Sequence, residues 1–276
     1  MTLTYLGFHL LFVLPVVGLL LWRRPALPAR RLRVARAGLA LMGTLAFVYT
    51  TPWDNALIER GAWFYGEGTV AARVWAAPVG EYLFFVLQTT IVGLWLYRAG
   101  FDPTPTAGDT ARLPRVAGAL GWLALGAAGG WLVVAAPERF LYLGAVLVWA
   151  CPVIALQWAV GGAFLLRRPR QWVVGVAVPT LYLVAVDRVA IGLGVWTIDD
   201  ATSTGATVLG LPVEEAVFFL LTTTLVVYGL ILLEWVVVKL DRRGDRAGRA
   251  AGADRTDPTD RDDRTDTADR DGAPAE

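Results

Sequence analysis

The segment LPVEEAVFFLLTT, residues 211–223, sets a proline, two adjacent carboxylates and two adjacent phenylalanines at the opening of a long apolar run. Residues 77–89, APVGEYLFFVLQT, carry the same Pro-Val-x-Glu-x-x-Phe-Phe pattern. An aspartate precedes each copy, with a Gly-x-Trp in between. Asp54, Gly61 and Trp63 stand 133 residues before Asp187, Gly194 and Trp196. Pro78, Glu81, Phe84 and Phe85 stand 134 residues before Pro212, Glu215, Phe218 and Phe219, so one residue has been inserted on the way. Similarity at a fixed spacing marks an internal duplication. It divides the chain into a first repeat at 1–98, a linker and extra helix at 99–138, a second repeat at 139–240 and a charged tail at 241–276.

The composition says in what solvent the repeats fold. With 56% hydrophobic residues, 12 Trp and a mean hydropathy of +0.52, the chain is too apolar for a soluble domain and reads as an all-α polytopic membrane protein. A net charge of +1 gives no footprint for nucleic acid. One Cys excludes an intrachain disulfide, and one His excludes a histidine-based metal cluster within the chain. No phosphate-cradling glycine motif is present. Seven apolar runs approach the roughly 20 residues that a membrane-crossing helix needs, at 2–22, 34–53, 78–97, 116–135, 140–166, 171–191 and 211–238. The first lacks a basic leader and is expected to remain as an anchor.

The arginines orient the chain, because short cytoplasmic loops collect Lys and Arg. Basic groups follow the first, third, fifth and seventh runs, whereas the intervening loops hold only Arg60, Arg73, Arg139 and Arg188. A multi-pass cell-membrane protein is expected, with its amino terminus outside and its carboxyl tail, disordered by composition, in the cytoplasm. Three helices followed directly by three would come out inverted. The fourth run restores the parity, so the two repeats lie parallel with their carboxylates toward the outer side. Its Gly126 and Gly130 have small-xxx-small spacing, although glycine is common in membrane helices and the spacing alone assigns no contact.

Charged side chains in or beside membrane spans are expensive and mark functional sites by default. Six stand out: Asp54, Glu81, Asp187, Arg188, Glu214 and Glu215. Asp54 and Asp187 are expected to close the second and sixth helices. Glu81 and the pair Glu214 and Glu215 are expected to open the third and seventh, behind Pro78 and Pro212 at the first helical position. An acidic first turn also caps a helix and complements its dipole, which would account for one isolated glutamate. Recurrence of Glu81 and Glu215 with the same two phenylalanines favours chemistry. A carboxyl folded into an apolar pocket keeps its proton and can act as a general acid. The rings nearby, Trp53, Trp63, Phe64, Tyr65, Trp75, Phe84, Phe85, Trp196, Phe218 and Phe219, read mostly as an interfacial belt or, for some of them, as walls that stabilise a cation by about 2 kcal/mol or more. Trp53, Trp63, Phe84, Phe85, Trp196, Phe218 and Phe219 are the expected substrate-facing set. Acid and aromatic walls together suggest proton-initiated chemistry on an alkene.

On TPWDN (51–55), GAWFY (61–65), EYLFFVLQT (81–89), VD (186–187), GVW (194–196) and LPVEEAVFFLLT (211–222), the chain resembles the carotenoid cyclases of the lycopene cyclase domain type in their fused form. The likeness covers essentially all of residues 1–238. It implies two three-helix units, a lycopene substrate met in the lipid bilayer, and β-carotene as product without change of redox state. It implies that a carboxylic acid protonates the terminal double bond, the cation closes a six-membered ring, and a base removes a ring proton. No soluble cofactor is implied, and contact with other carotenoid-pathway enzymes is left open. Carried onto this sequence, Glu214 and Glu215 match the Pro-x-Glu-Glu motif and Asp54 and Asp187 the aspartates. The expected proton donor is Glu215 or Glu214, with Asp187, Asp54 and Glu81 shaping the pocket or accepting the proton. Gly80 departs from the pattern where a second Glu is usual.

Two other readings share some of these features. A cyclase could take an elongated C50 carotenoid. A membrane carrier also has repeated halves with charges at their junction, but usually binds near the midplane, whereas these carboxylates sit at helix ends. A retinal protein would need an intramembrane lysine, and Lys239 lies at the cytoplasmic end.

Overall fold

All seven apolar runs are helical in the structure, a computed structural model that describes residues 3–253. The helices are α1 (Tyr5–Trp22), α2 (Ala29–Glu59), α3 (Val79–Ala99), α4 (Arg112–Ala135), α5 (Leu141–Arg167), α6 (Pro169–Gly192) and α7 (Val213–Ala253). Each of the seven is long and apolar enough to cross a membrane. Thr4 opens α1 by accepting a hydrogen bond from the Gly7 N–H at 3.0 Å. The helix then widens into a π-helical turn over His9–Val13, which lets Pro15 follow although it has no N–H to offer.

Two boundaries differ from the sequence expectation. Asp54 and Asp187 do not close their helices; α2 runs on through Pro52 to Glu59 and α6 to Gly192, so both aspartates lie inside. Gly61 and Gly194 make the actual exits, each at positive φ (+74° and +69°), where a side chain would be strained. Pro78 and Pro212 are not the first helical residues either. Each ends a two-residue strand, β3 (Ala77–Pro78) paired with β2 (Arg73–Val74), and β6 (Leu211–Pro212) paired with β5 (Thr207–Val208). The hairpin holds the proline extended, and the helix starts one residue later, so Glu81 and Glu215 take its third position.

The loops after α2 and α6 meet at one end of the bundle. Strand β1 (Trp63–Tyr65) pairs antiparallel with β4 (Trp196–Ile198), with Phe64 opposite Thr197 at the centre. Similar backbone bonds recur in the two loops: Val79 N–H donates to Ala72 O and Val213 N–H to Ala206 O at one common offset of 134, and Tyr5 N–H donates to Thr69 O as Tyr142 N–H does to Thr202 O. Deeper in the bundle Gln88 on α3 donates to Thr222 on α7 at 2.7 Å, again across an offset of 134.

Helix α7 packs against α2, α3, α5 and α6, whereas α4 rests chiefly on α5. That contact is close because glycines meet. A Cβ on Gly129 would lie 2.9 Å from Gly144 O, and one on Gly144 would lie 2.8 Å from Gly129 O. Gly126 also faces α5, against Cys151, but Gly130 has its nearest neighbour, Val148, at 3.8 Å. The tight pair therefore runs through Gly129 rather than the Gly126 and Gly130 spacing. Large apolar side chains such as Leu120, Trp131 and Leu181 face outward, as lipid-facing positions do.

At the opposite end from the hairpins, charges are paired. Arg31 bonds Glu234 at 2.9 Å and the Phe101 carbonyl at 2.9 Å. Arg168 bonds the buried Asp109 at 3.1 Å, fixing the linker before α4. The tail expected from residue 241 begins as a continuation of α7, where Asp241 pairs with Arg30 and Arg242 donates to the Pro105 carbonyl at 3.1 Å. The rest of the tail, 254–276, lies outside the described residues.

Gly129→Leu is expected to lower stability by about 1–3 kcal/mol through overpacking, and Gly130→Leu by clearly less. Thermal unfolding of the two variants in the same detergent, followed by circular dichroism, measures the difference.

Candidate active site

Beneath the β1–β4 ribbon lies a cavity of about 50 Å³ whose walls carry four carboxyl groups, Asp54, Glu81, Asp187 and Glu215. Helices α2, α3, α6 and α7 contribute one each. Asp54, Asp187 and Glu215 are buried and Glu81 is half-buried, and no Lys or Arg is among the residues that line the cavity. Four like charges in so small an apolar space repel strongly, so some of these groups must carry protons.

Neutral ring donors hold them instead of cations. The Tyr142 hydroxyl donates to Glu215 Oε1 at 2.7 Å. Glu81 accepts at both oxygens, from Tyr5 at 3.1 Å and from Tyr65. Trp63 in turn donates its indole N–H to the Tyr65 oxygen at 2.9 Å. Asp187 Oδ1 accepts from the Trp196 indole at 3.0 Å, while its Oδ2 and Asp54 Oδ2 are buried without a partner among the described residues. Outside the helices, Tyr65 has its pKa raised well above the usual value, first by burial and then by the neighbouring Glu81, so it stays a donor.

The walls are aromatic and shared between the halves of the chain. Trp53 stacks on Phe218 with planes 2° apart and centroids 5.8 Å apart. Trp63 packs on Tyr142 at 5.4 Å and Trp196 on Tyr5 at 4.9 Å. Phe84 meets Phe219 edge-on at 6.1 Å. Phe85 also lines the space. Trp63, Trp196 and Ile198 come from the ribbon and line the cavity at that end.

The cavity thus gathers four of the six charged candidates and seven of the ten rings; Phe64 and Trp75 are exposed outside it, and Glu214 stands apart. That side chain points the other way, where Oε1 accepts from the Thr204 N–H at 2.7 Å and the Thr204 hydroxyl at 2.6 Å. Its neighbour in the chain lies about 100° round the helix, so the two cannot face one space. Arg188 is also outside, exposed and lying over Gly210 in the turn between β5 and β6. The absence of a glutamate at Gly80 has a steric reason: a Cβ there would lie 2.7 Å from the Tyr5 ring.

Tyr5, Tyr65 and Tyr142 are the site residues that sequence reasoning missed as donors. A signal for two of them exists. Tyr-Leu-Gly occurs at 5–7 and again at 142–144, opening α1 and α5, which extends the duplication to its first helices.

Comparison with known proteins identifies relatives. The chain is 45% identical over 240 residues to proteins named lycopene beta-cyclase from two strains of Halobacterium salinarum, covering 87% of this chain and 99% of the relative. It is 35% identical to a bifunctional lycopene cyclase/phytoene synthase from Phycomyces blakesleeanus, over 82% of this chain and 38% of that longer protein. A protein of the same name from Gibberella fujikuroi is 34% identical over 90% of this chain. No family model and no solved structure matches.

Glu214→Ala is expected to remove about 1–3 kcal/mol of local stability by stranding the Thr204 donors. Faster hydrogen exchange confined to residues around 199–210, with the four-carboxyl cavity unaffected, is the expected signature.

Proposed function

The chain belongs to the lycopene beta-cyclase family, and we propose that it closes the linear ends of lycopene into β-rings within the four-carboxyl cavity. The observation that carries this reading is the set of protonatable groups facing stacked ring faces in a chain so similar to named cyclases.

Glu215 serves as the proton donor. Tyr142 occupies one of its oxygens, which leaves the other free to carry the proton toward the terminal double bond. Protonation of that alkene leaves a tertiary carbocation. The π electrons of the next suitably placed double bond attack it, forming the ring carbon–carbon bond and moving the positive charge to a ring carbon. Loss of a proton from the ring then restores a double bond. Atoms and electrons balance without an oxidant or reductant, and the product is an isomer of the substrate.

Glu81, with a phenol donating to each oxygen, is best suited to remain a carboxylate. It faces the cation electrostatically and is positioned to accept the ring proton, with Asp54 and Asp187 sharing that role. The stacked Trp53 and Phe218 supply ring faces, each worth about 2 kcal/mol or more toward a desolvated cation. The ribbon residues Trp63 and Trp196 exclude water, which would otherwise capture the cation as an alcohol.

We further propose that 1–98 and 139–240 are two parallel three-helix repeats joined by 99–138, with the amino terminus outside and the carboxyl terminus in the cytoplasm. The arginine-rich ends at Arg31 and Arg168 support this orientation, as do the matching backbone bonds in the two loops. The fungal relatives are named as joining the cyclase with a phytoene synthase, which supports a place for this chain beside other carotenoid-pathway enzymes.

Glu215→Gln is expected to lower lycopene conversion by about 10²–10⁴, the usual contribution of a positioned acid, with the protein still in the membrane. Glu214→Gln is expected to retain most of it. In D₂O each ring closed by the unchanged chain should gain one deuterium, read by mass spectrometry. Full activity of Glu215→Gln would move the donor role to another carboxyl, and products without deuterium would exclude protonation as the first step.

A further inference from the structure

Below the acid cavity lies a second, larger one of about 330 Å³, walled by α2, α3, α5 and α7. The two spaces share Phe85 and Phe218 as common wall residues. An aromatic row runs from one into the other. Trp53 stacks on Phe218, Trp149 on Trp53 at 4.8 Å, and Tyr49 on Trp149 at 5.6 Å, with planes within 2–24° of parallel. From Trp53 down to Met42 the wall follows eleven residues of α2, about 16 Å at the helical rise, or roughly half of the ~30 Å hydrocarbon layer.

Most polar groups in this wall are bonded within the protein. Gln88 donates to Thr222, Thr222 to the Phe218 carbonyl, and Gln157 to the Leu225 carbonyl, while Gln157 Oε1 and the Trp149 indole N–H are buried without a partner among the described residues. The rest of the lining is largely apolar. The slot is closed at the top, where Tyr49 and Trp53 on α2 donate to the Trp149 and Ala145 carbonyls of α5 at 2.9 and 3.1 Å. Farther down, no side-chain hydrogen bond joins α2 to α5 among the described residues. There the rim residues Leu45 and Leu156 are 50% and 64% exposed toward the lipid side.

We propose that this cavity is the channel that holds the polyene behind its reacting end, loaded sideways from the bilayer between α2 and α5. The inference rests on the lycopene cyclase reading and adds to it where the substrate lies and how it arrives. The acid cavity is too small for more than the end group, so the chain behind that end needs a continuous apolar path. A conjugated polyene is flat and lies well against a row of ring faces, and no wall residue offers a charge to a lipid headgroup. Because only one end reaches the acids at a time, the molecule must leave and return reversed, and a ring already formed must then sit at the open end near Met42.

The test uses the full chain in lipid vesicles supplied with lycopene. Absence of cyclised product from the unchanged chain removes the lycopene reading and the channel with it. Given conversion there, Ala46→Trp, which fills the slot, is expected to lower it about tenfold or more. Leu123→Trp, on the lipid-facing side of α4, is expected to leave it unchanged, with melting temperatures alike in all three chains. Equal conversion by Ala46→Trp overturns the channel and would fit a lipid acyl chain as the occupant. A loss matched by a fall in melting temperature also overturns it, by making Ala46 a packing residue. Met42→Trp is expected to raise the ratio of one-ring to two-ring products, a change that misfolding does not mimic. An unchanged ratio overturns loading through that end.

Discussion

Four carboxyl groups share one small, ring-walled space in this protein, and the rest of the site follows from having to hold them there without a cation. An arginine beside each would satisfy them, and the protein uses that solution elsewhere. Arg31 pairs with Glu234 and Arg168 with Asp109 at the far end of the bundle. A guanidinium keeps a carboxylate charged, which suits a structural lock and ruins an acid. At the cavity the donors are phenols and indoles, from Tyr5, Tyr65, Tyr142 and Trp196. These orient a carboxyl and satisfy part of its hydrogen bonding while leaving it free to be protonated. The choice of neutral donors distinguishes the reactive end from the anchored end.

The recurring sequence pattern marks the parts, and the departures from it give them different surroundings. Glu81 and Glu215 occupy equivalent helix positions and each accepts from a tyrosine that opens the first helix of its half. Only Glu81 has a second phenol, because β1 carries Tyr65 where β4 has Ile198. On the other side, Asp187 is bonded by Trp196, whereas the equivalent Trp63 turns its N–H to Tyr65. Gly80 gives up a glutamate so that Tyr5 can lie across α3, and Glu214 in the matching position is spent on Thr204. Two similar halves thereby build one asymmetric pocket, in which one acid is left half free and another is saturated.

Much of this was legible in the sequence. The apolar runs placed all seven helices, since lipid-crossing segments need little tertiary context to be recognised. The repeated pattern picked out Asp54, Glu81, Asp187 and Glu215, and of the ten rings named around them seven line the cavity, whereas Phe64 and Trp75 face outward. Helix ends were less legible: Asp54 and Asp187 lie inside their helices because Gly61 and Gly194, not the aspartates, terminate them. Two features depended on directions that a linear pattern does not carry. Adjacent Glu214 and Glu215 diverge by a helical turn geometry that separates loop clamp from pocket. The tyrosine donors reach across the bundle from α1 and α5, and only their Tyr-Leu-Gly repeat hinted at it.

The narrow, ring-lined mouth of the cavity also suits the proposed chemistry. A reaction that consumed protons would need a hydrated path from the acids to solvent, and such a path would expose the cation to water. Ring closure returns one proton for each one taken, so no net proton flow through the mouth is needed, only exchange of the carboxyl protons with solvent between turnovers. A lining of Trp63, Trp196 and Ile198 at that end is then compatible with turnover. The only traffic left is hydrocarbon, and it has an apolar route through the side of the bundle. Proton exchange at the carboxyl end and substrate exchange with lipid at the other thus need never share an opening.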